Sequence, residues 1–397
     1  MPQDERLSRF LLLPELKLIS QVKNPNDVTV FLCEKVSDFE VCPRCAVKST
    51  SVYDHRVVKI HDNPIRATDI WLKVRKRRFY CHTCRKPFTE PVPGVMKGKR
   101  HTERFRRSVL WASENFTDLT RVRKHFRCST WTVYRSLYDH LQLNMKRHLN
   151  YPWPKTVGID EHFFSQKQGF ATTLCDLRKH KVFDIVKGRS EEELADYLTK
   201  LPGKEKVKIV CMDLSSTYRS IVRKYFPHAM IVADRFHVVR LMQHQCMKSF
   251  KELSDDIKYN RGVLAALRTK PERLTEERKA LRDSFFKENP VIESLYLFQQ
   301  RIHELLLKKM MTKKQCRPLV REFLQVIDMM KQSPFKPLQK LARTFHRWKE
   351  EIARMWRFTK SNGITEGFHR KMKLIQRRAY GFRNFENYRT RVRVLCK

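Results

Sequence analysis

The sequence predicts an α/β protein built in parts: a small cysteine-bearing β domain, a three-helix unit, and a mixed sheet whose last helix is reached only through a long all-helical stretch. Three observations carry this reading. Two Cys-x-x-Cys pairs, Cys42/Cys45 and Cys81/Cys84, lie near the start of the chain. Between Lys155 and Asp234, short apolar runs rich in β-branched residues alternate with stretches of helical spacing. From about Val238 to Phe358 the chain holds a single glycine, Gly262, and is rich in Leu, Lys, Arg, Glu and Met with helix periodicity.

Composition bounds the function. The 397 residues suffice for about two to four domains, and a hydrophobic content of 41% can fill their cores. Against 42 acidic residues stand 83 Lys and Arg, a formal net charge of +41, and such a field needs a polyanion. The basic residues are spread along the chain and interleaved with aromatics, unlike a membrane-docking polybasic arm, so double-stranded DNA or another nucleic acid is the expected partner. No run of about 18 apolar residues exists to span a membrane. The Leu-rich patch from Phe10 to Leu13 is broken by Pro14 and lacks the flanks of an export signal. Eleven cysteines in an unexported chain then argue for thiols and metal ligands in a reducing cytoplasm rather than for a disulfide frame.

Residues 1–90 read as the N-terminal domain. A β lead-in, with Val28–Leu32 as its best strand, precedes Cys42-Pro-Arg-Cys45, answered by Cys81-His-Thr-Cys84 after thirty-five intervening residues. Each pair makes a knuckle whose two sulfurs bind one ion, so the two knuckles form a tetrahedral four-thiolate site for one structural Zn²⁺, a zinc ribbon. The alternating runs Val57–Ile60 and Ile70–Arg75 suit hairpins between the knuckles. In the second run Ile70, Leu72 and Val74 share one face, while Lys73, Arg75 and Arg77 share the other, a basic face suited to phosphates.

A Pro/Gly cluster between Pro87 and Gly98 marks a linker. In residues 99–150, helices are expected over about Thr102–Asn115, Leu119–Phe126 and Thr130–Arg147, the pattern of a helix-turn-helix DNA-binding domain. Ser129 is the expected N-cap of the last helix, and Val133, Leu137 and Leu141 are its buried stripe. Thr132 and Arg135 fall on the outward side, which would enter the major groove.

Residues 155–240 are expected to form the first part of a core. Strands Thr156–Phe163, Phe170–Asp176 and Lys181–Val186 make an antiparallel meander, and Ser190–Glu193 is a capping box opening a helix to Leu201. Strand Val207–Met212 follows, parallel to the first because a helix crosses between them; helix Ser216–Tyr225 and strand Ala229–Ala233 complete the set. Three strands, helix, strand, helix, strand describe the ribonuclease-H-like (retroviral-integrase-like) fold. The first strand is expected to end in Asp160 and its parallel neighbour in Asp213, on the edge where open α/β sheets place their sites. Residues 241–358 read as an all-helical insertion with joints at Pro271, Pro290, Pro318, Pro334 and Pro337. Residues 359–397 read as the last core helix and a C-terminal tail. Ser361 or Asn362 caps that helix, Ile364, Phe368, Met372 and Ile375 make its apolar stripe, and Glu366, Arg370, Lys373 and Arg377 share another face. A lone carboxylate in a basic row repels phosphate, a conflict that a metal ion resolves.

Three carboxylates from Asp160, Asp213 and Glu366 suit two hard cations, Mg²⁺ or Mn²⁺, about 3.5–4 Å apart, which activate a water or a 3′-hydroxyl at a phosphodiester. Asp160 is the expected bridging ligand, Asp213 and Glu366 ligands to one ion each, and Arg370 and Lys373 phosphate grips. Asp234 and His237, at the end of a different strand, are accessory candidates; Glu161 points to the opposite strand face from Asp160. Each acid alone also reads as a turn former or a helix-N-terminal acid.

The Cys42–Cys84 ribbon, the helix-turn-helix, Gly158-Ile-Asp-Glu161, Val210-Cys-Met-Asp213 with Tyr218, Asp234-Arg-Phe-His237, Ser361-Asn-Gly-Ile-Thr-Glu366-Gly and Tyr380–Tyr388 together resemble bacterial insertion-sequence transposases of the ISL-three family. The resemblance implies a DDE-type transposase at the bacterial nucleoid, with Asp160, Asp213 and Glu366 as its acids, cutting and joining DNA at terminal inverted repeats. Two ends joined in one event imply a homodimer. His369 departs from the family, which often shows Asn there. Two alternatives stay open: a transposase-derived DNA-binding regulator without chemistry, and a structure-specific nuclease on the same fold.

Overall fold

A long hairpin organises the N-terminal residues. The computed structural model describes residues 13, 15–116, 118–146, 152–358 and 363–396 and divides the chain into two units, residues 1–146 with 377–381 and residues 147–376 with 382–397. The Ser361/Asn362 cap and the patch from Phe10 to Leu12 lie outside the described residues.

In the first unit, β1 (Leu16–Asn24), β2 (Val28–Lys35), β5 (Val52–Ile65) and β6 (Thr68–Cys81) form a sheet in the order β1-β2-β6-β5, with β7 (Lys86–Thr89) on β6; β3 (Glu40–Val41) and β4 (Lys48–Ser49) pair separately. β5 and β6 are joined by Arg66 and Ala67, both left-handed at φ 49° and 63°, the two-residue geometry whose twist matches a hairpin. The alternation read from β6 holds: Ile70, Leu72 and Val74 are buried against Leu16, Phe31, Cys33 and Ile60, whereas Lys73 and Arg75 are exposed. Arg77 departs from the expected free basic face. Its guanidinium donates to Glu90 Oε2 at 2.9 Å and to the Ser37 carbonyl, so its charge is spent on a buried carboxylate.

Helices α1 (Glu103–Asn115), α2 (Leu119–His125) and α3 (Thr130–Lys146) fall where the sequence places them. Thr102 and Asp118 cap the first two, and the Ser129 hydroxyl accepts from the Thr132 backbone N–H at 3.1 Å. Val133, Leu137 and Leu141 are buried, Arg135 is exposed, and its guanidinium stacks over the exposed Trp131 ring.

In the second unit, β8 (Thr156–Ser165), β9 (Gly169–Asp176), β10 (Lys181–Lys187), β11 (Ile209–Met212) and β12 (Met230–Ala233) form one sheet in the order β10-β9-β8-β11-β12. The first three strands are antiparallel; β11 runs parallel to both β8 and β12. Helices α4 (Glu191–Lys200), opened by the expected Ser190/Glu193 capping box, and α5 (Ser216–Tyr225) make the crossovers.

From β12 the chain passes directly into helices: α6 (Arg235–Leu253), α7 (Asp255–Tyr259), α8 (Arg261–Arg268), α9 (Glu276–Glu288), α10 (Pro290–Leu307), α11 (Lys313–Gln332), α12 (Lys336–Arg347) and α13 (Lys349–Arg357). They share one apolar core with the sheet face formed by Val157, Ile159, Leu174, Val210 and Met212. The buried Arg235 guanidinium ties them to the strand end, donating to the carbonyls of Leu306, Lys308 and Met355.

The opposite sheet face is covered by α14 (Gly363–Arg378), through Met372 and Ile375, and by α15 (Phe385–Leu395), through Tyr388 and Val392. The segment expected as a C-terminal tail is therefore a helix. Asn384 caps it, and Asp184 of β10 accepts a bidentate pair of hydrogen bonds from Arg389. Among the described residues no helix is long and apolar enough to cross a membrane.

Candidate active site and cysteine cluster

Register fixes the acids. Ile159 of β8 pairs with Met212 of β11, and Met212 pairs with Ala233 of β12. The next residues are Asp160, Asp213 and Asp234, so three parallel strands each present a carboxylate one position beyond a matched row. Asp160 is not at the end of its strand, as expected, because β8 continues to Ser165 along β9. It sits where the shorter β11 stops, and that termination opens the sheet beside it.

Asp160 is buried; its Oδ1 accepts the Glu161 backbone N–H at 2.9 Å. Burial pushes its carboxyl up to about 7, helped by Asp213 and Asp234 and opposed by His237. Burial also raises Asp213, and its Oδ1 is enclosed with no hydrogen-bond partner. Asp234 is buried at the start of α6, with its Oδ2 3.7 Å from His237 Nε2. Glu161 lies on the other face and pairs with Arg189 at 3.7 Å.

Glu366 is more open to solvent than this group. It lies in the first turn of α14 with a side chain 47% exposed, 3.5 Å from the Arg370 guanidinium. Arg370, Lys373 and Arg377 are exposed along the same helix, as the sequence row suggests. The residue of α14 that reaches Asp160 is His369, whose Nδ1 is 3.8 Å from Asp160 Oδ2. Its other nitrogen lies 3.3 Å from the Thr173 hydroxyl, which is 3.0 Å from His162 Nδ1; His162 Nε2 meets the Tyr388 hydroxyl at 2.9 Å. Burial holds His369 down to about 4 and His162 down to about 3, so both rings are neutral near pH 7. The sequence reading left His369 without a role and passed over His162, although a residue two positions from Asp160 on a strand shares its face.

In the first unit, the sulfurs of Cys42, Cys45, Cys81 and Cys84 lie within 4.8 Å of one another. The backbone turns left-handed just after each knuckle, at Ala46 (φ 59°) and Arg85 (φ 51°). Backbone N–H groups of Arg44 and Cys45 lower the Cys42 thiol to about 6, favouring the thiolate that binds metal. Four sulfurs in this arrangement fit Zn²⁺. Among the described residues, no other set of three or more His, Cys, Asp or Glu ligand atoms converges as closely.

Residues 157–392 match a family described as transposase, of the ISL3 DDE type. Residues 38–84 match the zinc-finger of the transposases of IS204, IS1001, IS1096 and IS1165, and residues 90–141 match the helix-turn-helix domain of transposase family ISL3. A curated relative, the transposase for insertion sequence element IS1001 of Bordetella parapertussis, is 24% identical over 373 residues, covering 89% of this chain and 88% of that one.

Proposed function

The chain belongs to the ISL3 family of transposases, and we propose that it binds the terminal inverted repeats of its mobile element and performs cation-dependent cleavage and joining of DNA strands at Asp160, Asp213 and Glu366. The observation that carries this reading is the buried Asp160 beside the half-buried Asp213, whose Oδ1 is enclosed. Burial and neighbouring carboxylates oppose their charges, a cost that a bound cation offsets. The donor set also fits a hard divalent cation, since it is all carboxylate oxygen and Asp213 Oδ1 is enclosed without a partner.

Strand order β10-β9-β8-β11-β12 supports a ribonuclease-H-like core. In this reading residues 155–240 are its first part, 241–358 a helical insertion and 359–397 its last helix with the C-terminal segment, after a ribbon domain in 1–90 and a helix-turn-helix domain in 99–150. Asp160 would bridge two Mg²⁺ or Mn²⁺ ions, with Asp213 and Glu366 each holding one. When bound, such ions supply Lewis-acid polarisation of a phosphodiester oxygen and a more acidic water or 3′-hydroxyl. Asp234 and His237 set the charge around the pair, and the exposed Arg370, Lys373 and Arg377 grip phosphates. Glu366, exposed on the same row, joins Asp160 and Asp213 when DNA and cation are present. One structural Zn²⁺ on the cysteine quartet holds the ribbon. Lys73 and Arg75 meet phosphates, and Thr132 and Arg135 face the major groove. The protein works as a homodimer because two DNA ends are joined in one event.

The test is incubation of the full chain with labelled terminal-repeat DNA in Mg²⁺ or Mn²⁺, beside Asp160→Ala. Cation-dependent cutting and joining, both lost in the variant, is the expected outcome. Binding without cutting leaves a DNA-binding regulator. Cutting without transfer of the 3′-hydroxyl to a second DNA leaves a nuclease.

A further inference from the structure

The exposed face of α3 carries aromatic rings where a solvated helix carries charges. After α2 the backbone turns left-handed at Arg127 (φ 45°), and α3 opens at Thr130. Over its first two turns Val133, Ser136 and Leu137 are buried, whereas Trp131, Tyr134 and Arg135 are exposed. Positions 131, 134 and 135 share one side of a helix. Trp131 is 64% exposed, a large apolar ring left in water at the start of the helix that a helix-turn-helix unit presents to base edges.

Arg135 differs from other arginines of this unit. Arg77, Arg104 and Arg106 are held by the carboxylates of Glu90, Asp62 and Asp139. The Arg135 guanidinium instead lies over the Trp131 ring, 4.9 Å from its centroid. A stacked guanidinium uses its flat face and keeps its N–H edge free, so the parallel donors of a bidentate contact stay available. The ring also restricts the long side chain, which lowers the entropy lost when it binds. The Thr132 hydroxyl, by contrast, is engaged within the protein, 3.0 Å from the Ser129 hydroxyl and 3.5 Å from His101 Nε2.

In the major groove a bidentate guanidinium matches guanine, through O6 and N7, and the apolar feature is the thymine methyl. The separation of ring and guanidinium is close to the rise of about 3.4 Å between base pairs, so the two are spaced to meet neighbouring pairs. We propose that Trp131 and Arg135 form one reading unit for a guanine next to a thymine. Arg135 takes guanine O6 and N7, while Trp131 packs on the thymine methyl and holds the guanidinium in place. The assignment rests on the terminal-repeat binding proposed above. Specificity then sits on α3, and Lys73 and Arg75 supply sequence-independent affinity.

Selection of duplexes from a random-sequence library by the full chain tests this. The wild type should select a guanine beside a thymine at one fixed place. Within the selected duplex, 7-deazaguanine, which lacks the N7 acceptor, should weaken binding about tenfold at that guanine, and uracil in place of that thymine about threefold. Arg135→Ala should lose the 7-deazaguanine penalty, whereas loss of a mere phosphate contact would weaken every sequence alike. Trp131→Ala should lose the uracil penalty and cut the 7-deazaguanine penalty to about threefold, with an unchanged melting temperature showing that the helix is intact. A 7-deazaguanine penalty that persists in Arg135→Ala, or preferences unchanged in Trp131→Ala, overturns the reading unit while leaving terminal-repeat binding in place. A wild type that selects no sequence overturns both.

Discussion

The sulfurs of Cys42, Cys45, Cys81 and Cys84 lie within 4.8 Å of one another, whereas the carboxylates of Asp160, Asp213 and Glu366 do not converge this way and Glu366 remains 47% exposed. The physical difference is charge. Thiols can be brought together neutral and lose their protons as metal binds, so folding closes the site before the ion arrives. Buried carboxylates near one another resist ionisation, and Asp160, raised to about 7, shows the strain of even a partial assembly. A cation site on these acids that admits DNA, as proposed, would not be closed in advance, and Glu366 is exposed on a basic helix.

The largest effect should follow from breaking the closed site. Cys81→Ser should drop zinc content from about one per chain and remove binding energy of roughly 10 kcal/mol from the ribbon. Limited proteolysis should then degrade the first unit while α6–α13 stay protected. Retained zinc would mean that the quartet does not hold the ion.

Asp160→Asn attacks the open site. Loss of a cation ligand should slow cleavage about a thousandfold, or about 4 kcal/mol, with DNA affinity retained. The same change should stabilise the cation-free protein. A carboxyl raised from 3.8 to about 7 on folding costs nothing below pH 4, an increasing amount between pH 4 and 7, and its full amount above. In EDTA the variant should therefore exceed the wild type by about 2–4 kcal/mol at pH 8 and match it near pH 4. Melting curves with the opposite pH trend would remove the claim that burial opposes the Asp160 charge.

Arg77 and Lys73 sharpen a second contrast on one strand. Arg77→Ala leaves buried Glu90 unpaired and should cost about 3 kcal/mol in denaturant unfolding. Lys73→Ala should leave stability alone and lower the salt slope of DNA binding by about one. Equal effects on stability would erase the distinction. Smallest of all, Glu161→Gln, on the far face with Arg189, should alter cleavage by less than about threefold. A loss matching that of Asp160→Asn would place the chemistry on the wrong carboxylate.

The cysteine knuckles, the three-helix unit and the order of strands and crossovers were legible because spacing, periodicity and caps are local. Asp160 and Asp213 followed from parallel pairing, a topological inference that the register bears out. The hairpin turn at Arg66 and Ala67 was hidden because neither residue is the Gly or Asn that left-handed turns favour. Arg77 read as a free cation because its partner Glu90 lies thirteen residues away, just past the end of β7. The tail proved helical because its apolar face, Tyr388, Val392 and Cys396, finds its partners on the distant sheet and on α14. His369 gained meaning only from His162 and Thr173, which sequence distance separates by about two hundred residues.

The contrast between a closed and an open site is tested most directly by counting Mn²⁺ ions by electron paramagnetic resonance on the zinc-loaded chain, with and without terminal-repeat DNA. Weak Mn²⁺ binding by the free chain, strengthened by DNA, reduced in Glu366→Gln and absent in Asp160→Asn, is expected. Equal Mn²⁺ binding by wild type and Asp160→Asn, or tight binding that DNA does not change, would contradict it.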